Sequence, residues 1–255
     1  MFLFEPSRSD FDLNFRLFGV PVRVHPTFWL FGAILGWHFL DLGVEYLLLW
    51  IGCMFVSILL HEMGHVCMGL IFGRPSHVVL YAMGGLAIGD FQVRGRWRRI
   101  AISFAGPAAG LLLYALIRLI VVYLVDPAAL ANQPALAACI SMLLWMNLVW
   151  NVFNLLPIWP LDGGHISREL CSGLFPGHGI RLSLGLSFLL AGVAAAYSLF
   201  VGYQRTEWWY PLAIDPRFAG FFFALLAVES FMRLQQAERL RRQDGWERDP
   251  DVWGS

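Results

Sequence analysis

The chain has 255 residues, 58% hydrophobic and 14% charged, with a mean hydropathy of +0.62 and a formal net charge of zero. An ordinary soluble domain is nearer ~45–50% apolar and ~25% charged, so most of this length belongs to membrane spans and not to a water-soluble core. The zero net charge gives no sign of a nucleic-acid partner, and four cysteines without a CxxC pair argue against a disulfide frame or a thiolate zinc site.

Residues 1–24 contain Arg8, Arg16 and Arg23 and lack a small-residue cleavage signal, so they read as a cytoplasmic segment before an uncleaved span. Six apolar runs follow, at about 25–41, 44–72, 101–125, 136–158, 180–202 and 217–234. A short basic tail, 235–255, ends the sequence. The expected fold is an all-α polytopic membrane protein, a single membrane-embedded domain over residues 1–255 with about six transmembrane helices.

The second run contains "ILLHEMGHVCMG", residues 58–69. On a helix, residues four apart project within ~40° of each other, so His61 and His65 offer two imidazoles to one point, with Glu62 one position round. That is a zinc-binding geometry with a base beside it. HExxH fixes only three letters, but a charged side chain near the bilayer centre costs at least ~2.5–3.5 kcal/mol and is normally kept for a site or pathway. The competing interpretation is a histidine pair hydrogen-bonded between helices.

The next segment, "SHVVLYAMGGLAIGDF", is strand-prone in its first half, and Gly84 and Gly85 permit a tight turn or a close backbone approach. A short β-hairpin or re-entrant loop is expected there. Its edge could take an extended substrate as an added strand, or the loop could only plug the cavity. Run three opens with "SFAGPAAG", whose small residues read as close helix packing.

Run four ends in "NVFNLLPIWPLDGGH", residues 151–165. Pro157 and Pro160 remove backbone donors, and Gly163 and Gly164 permit angles closed to other residues, so this span is broken. Irregular backbone at membrane depth is tolerated where protein or a wet cavity surrounds it, so Asp162 can turn inward as a third ligand for His61 and His65. A simple exit turn with Asp162 as a helix cap is the alternative. Arginines after runs two, four and six outnumber those on the opposite side, which places both termini in the cytoplasm, and "EWWYPL" before run six fits an interfacial aromatic belt. Arg118 and Glu229, within spans, read as snorkelling residues.

Taken together, the HExxH of run two and Asn154-x-x-Pro157-x-x-Pro160-x-Asp162-Gly163-Gly164 of run four resemble the site-2 protease family of intramembrane zinc metalloproteases. "GVPVRVHPTFWL", "MGGLA" and "SFAGPAAGL" also look like family segments, and the resemblance is nearest to the compact six-span group of sporulation pro-sigma-factor processing enzymes, without PDZ or CBS domains. It implies one Zn2+ per chain held by His61, His65 and Asp162, Glu62 as the catalytic carboxylate, and Asn154 near the reacting carbonyl. It further implies a transmembrane protein substrate, cleaved in or near its membrane segment, in what is expected to be a bacterial cell membrane. A di-iron oxidase would need a second Glu-x-x-His, which the sequence lacks. A zinc transporter or a non-proteolytic membrane-protein binder stays open as the alternative.

Overall fold

The computed structural model describes residues 6–82, 84–89, 93–204 and 215–247. The first element is a hairpin, β1 (Leu13–Leu17) and β2 (Val20–Val24). Its turn places Phe18 at φ 49° and Gly19 at φ 82°, the positive angles that a two-residue type I′ turn needs. Val20, Val22 and Val24 are buried, and so is Arg23, which forms a 3.1 Å ion pair with Asp12. Arg23 is therefore a structural residue of the hairpin as well as part of the N-terminal basic segment.

The first apolar run forms α1 (Pro26–Leu35) and then a 3-10 turn, Trp37–Asp41. His25 caps α1 by accepting from the Thr27 amide, and Pro26 occupies the first turn, where its missing N–H costs nothing. Ten residues rise only ~15 Å, half of the ~30 Å hydrocarbon core. The helix ends at its C-cap Gly36, and Gly32 and Gly36 lie under Met54 and Trp50 of the next helix, where a Cβ at Gly36 would run into the Trp50 indole. That indole donates to the Gly32 carbonyl at 3.2 Å.

Among the described residues five helices are long and apolar enough to cross a membrane: α2 (Val44–Ile71), α3 (Arg96–Leu124), α5 (Pro134–Asn154), α7 (Gly179–Gln204) and α8 (Pro216–Glu247). Against the about six spans expected from sequence, the described residues hold these five, and the first apolar run makes only the short α1. A five-residue helix, α4 (Pro127–Ala131), links α3 to α5, and α6 (Asp162–Leu174) follows the break after α5. Leu112, Leu116, Leu119 and Tyr123 of α3 point outward, as expected where the surrounding solvent is lipid.

After α2 the chain forms the expected hairpin, β3 (Ser76–Tyr81) and β4 (Gly84–Gly89). One mixed sheet results, in the order β1-β2-β3-β4, with β2 parallel to β3 and Leu80 paired with Gly85. Val78, Val79 and Leu80 are fully buried. Residues 83, 90 and the whole of the aromatic segment 207–212 are outside the described residues.

The chain divides into two compact units, residues 1–155 and 156–255. In the first, α2 packs against α3, α5 and the β3–β4 hairpin. In the second, α7 packs along α8 and against α6. The 156–161 segment is tied to its own unit by polar contacts: the Trp159 amide donates to Ser187 Oγ at 2.6 Å, and Ser230 Oγ donates to the Trp159 carbonyl at 3.3 Å. Gly164 lies so close to the Ile158 carbonyl that no side chain fits between them. Glu229 is buried and paired with Arg233 at 3.2 Å, one helical turn on, so it does not snorkel.

Candidate metal centre

The α2 helix is continuous through the HExxH motif, and His61, Glu62 and His65 are all buried, at 3%, 6% and 7% exposure. Their buried placement in an apolar helix is affordable only if each polar atom has a role. The two rings meet edge to face, with Nε2 of His61 3.2 Å from Nε2 of His65. Each ring is held through its other nitrogen. His65 Nδ1 donates to the Ile102 carbonyl at 2.7 Å, and His61 Nδ1 donates to Asn151 Oδ1 at 2.7 Å.

A ring whose Nδ1 carries the proton presents a bare lone pair at Nε2. Two such lone pairs 3.2 Å apart are spaced to share one cation. Two nitrogens held 2.0–2.1 Å from one tetrahedral zinc ion stand about 3.3 Å apart. The observed separation fits. With a carboxylate the donor set would become the two-histidine, one-acid set that zinc accepts. Asp162 is half-buried at the first position of α6 in the second unit, so the broken fourth run ends where a new helix begins.

The walls around α2 are made of glycine. A Cβ on Gly85 would strike the Glu62 side chain, so β4 lies directly against the proposed base. One on Gly106 would strike His65 at Nε2. The small residues of "SFAGPAAG" thus shape the metal centre in addition to packing helices. Gly84, at φ +109°, makes the β3–β4 turn and faces Trp150. Tyr81 is buried beside the hairpin turn, and burial together with the Glu62 carboxylate pushes its phenol up to about 12.

Asn154 lies at the end of α5 and donates from Nδ2 to the Trp150 carbonyl at 2.9 Å. The amide in contact with a motif histidine is Asn151, three residues earlier. Sequence reasoning passed over Asn151, Gly106 and Ile102. A signal for the first was present: Asn147, Asn151 and Asn154 recur at helical spacing in a run that is otherwise apolar.

The sequence profile of peptidase family M50 matches residues 125–194. The chain is 32% identical over 181 residues to a zinc metalloprotease of Methanocaldococcus jannaschii, covering 69% of this chain and 51% of that protein. It is 30% identical to a putative zinc metalloprotease of Synechocystis, covering 60% of this chain and 42% of that one. To stage IV sporulation protein FB of Bacillus subtilis it is 28% identical, covering 84% of this chain and 66% of that protein. The matched region thus spans about half the length of the first two relatives. Among solved structures, a site-2 protease from Methanocaldococcus jannaschii superposes with a TM-score of 0.54 at 21% identity, covering 90% of this chain and 94% of that one, which speaks for the fold.

Proposed function

We propose that this chain is a member of the M50 peptidases of the site-2 protease family and an intramembrane zinc metalloprotease that hydrolyses a peptide bond in or near the membrane segment of a protein substrate. The observation that carries the proposal is the pair of Nε2 atoms 3.2 Å apart with a glutamate one residue away, all buried in an apolar helix long enough to span a membrane. Three of the chain's own side chains would hold the ion: His61 and His65 through Nε2, and Asp162 through a carboxylate oxygen.

Zinc, when bound, supplies Lewis-acid polarisation of the scissile carbonyl and of a water molecule. Everything else is done by the protein. Glu62 accepts the water's proton on a carboxylate oxygen and returns it to the departing amine nitrogen. Asn154 has two N–H groups on Nδ2, and the one not directed to Trp150 serves to donate to the substrate carbonyl oxygen. A substrate helix must unwind to expose a peptide bond, and β4, last in the sheet order and opened by Gly84 and Gly85, offers an edge on which the unwound strand pairs. The distribution of arginines supports cytoplasmic termini and a site opening to the cytoplasm of a bacterial cell membrane.

Purified protein supplied with tagged single-span substrates tests the proposal. A shortened product is expected from the wild type, and Asp162→Asn should lose zinc and cleavage together, by about tenfold or more. A zinc transporter or a non-proteolytic binder would instead give no product from any substrate, and its zinc content would bear no relation to cleavage.

A further inference from the structure

Asn147 and Asn151 sit on the buried face of α5 at 0% and 1% exposure, and no motif used above includes either. A buried amide is costly unless it is paired, and these are paired in one direction only. A main-chain carbonyl can accept but cannot donate. The Leu143 carbonyl therefore requires the Nδ2 end of Asn147, at 2.9 Å, and the same amine donates to Ser57 Oγ at 2.9 Å. The Asn147 carbonyl in turn requires the Nδ2 end of Asn151, at 2.6 Å. Reversing that amide would set its oxygen against a carbonyl oxygen.

With Nδ2 committed, Oδ1 of Asn151 faces His61 Nδ1 at 2.7 Å. An amide oxygen can only accept, so the ring proton belongs on Nδ1. We infer that Asn151 is a positioning residue: it fixes His61 in the tautomer and ring orientation that turn the Nε2 lone pair to a metal, and the main-chain carbonyl of Asn147 fixes the amide of Asn151. The inference rests on the zinc-protease reading for the identity of the ion. Gly110 of α3 supplies the room, because a Cβ there would strike the Asn151 amide.

Zinc affinity, measured by competition with a chromophoric chelator on purified full-length protein, tests this without substrate. Asn151→Leu removes the acceptor and should weaken binding about 10–100-fold. Gly110→Ala, on another helix and touching no ligand, should weaken it in the same direction by displacing Asn151. Asn151→Asp keeps an acceptor against Nδ1 but sets its second oxygen against the Asn147 main-chain carbonyl, so it should lose affinity, and less of it than Asn151→Leu. Gly52→Ala, with open space around it on α2, should behave as wild type. Helical content and a single elution peak are measured on each variant. If either Asn151→Leu or Gly110→Ala fails to fold, the other carries the comparison. Wild-type affinity in folded Asn151→Leu and Gly110→Ala would overturn the assignment, as would equal losses in Asn151→Leu and Asn151→Asp. Protein that shows the expected grading but cleaves nothing would count against the protease reading and leave this assignment standing.

Discussion

Two glycines outside the HExxH motif set the room available to its side chains, and they separate binding from chemistry. Alanine at Gly106 would press on His65 Nε2, so Gly106→Ala should lower zinc content by about tenfold or more, with activity falling in step. Alanine at Gly85 would press on Glu62, the base and not a ligand in the proposed mechanism, so Gly85→Ala should keep zinc near one per chain while kcat falls about 100-fold. Metal analysis alongside single-turnover cleavage reads both. The motif itself was legible in the sequence because ionisable residues in an apolar helix demand a reason. Gly106 was not legible as a site residue, since small residues in spans usually serve packing, and only the fold brings this one against a histidine. Asn151 was missed for a different reason: an amide four residues after another amide matches no motif, and its role comes from the polarity of two carbonyls.

At the scale of elements, the break after α5 and the β3–β4 hairpin were legible because proline and paired glycines act locally. Pro157, Pro160 and Gly164 decide the first, and Gly84 at φ +109° decides the second. The short α1 was not legible. Residues 25–41 are apolar enough for a span, yet the helix ends at Gly36, where the distant Trp50 occupies the space a side chain would need. The N-terminal hairpin was hidden as well, because its stability depends on pairing between β2 and β3 across more than fifty residues of intervening chain. That hairpin has a pH dependence. Although burial opposes it, the Ser9 amide and the Arg23 guanidinium hold the Asp12 carboxyl below its ordinary value of 3.8. A depressed carboxyl stabilises the fold above the unfolded pKa, and that contribution fades as pH falls through the lower folded value. Hydrogen-exchange protection of β1 and β2 should therefore hold at pH 5 and above and decline below about pH 4. In Asp12→Asn protein the pH dependence should vanish; an unchanged decline would assign it to another group.

For the whole molecule, the five long helices and the arginine distribution define a multi-pass membrane protein, and the proposed orientation places the C-terminus in the cytoplasm. A reporter fused there should be active only if it is a cytoplasmic type, and activity of an exported-type reporter would reverse the orientation. The central claim is that Glu62 moves protons and does not hold the metal. Glu62→Gln keeps the shape of the side chain and both imidazoles but removes the proton acceptor. The decisive measurement is zinc content and cleavage on the same purified Glu62→Gln protein with a membrane-spanning substrate: about one zinc per chain is expected, with substrate bound but uncut. Cleavage at the wild-type rate would contradict the mechanism.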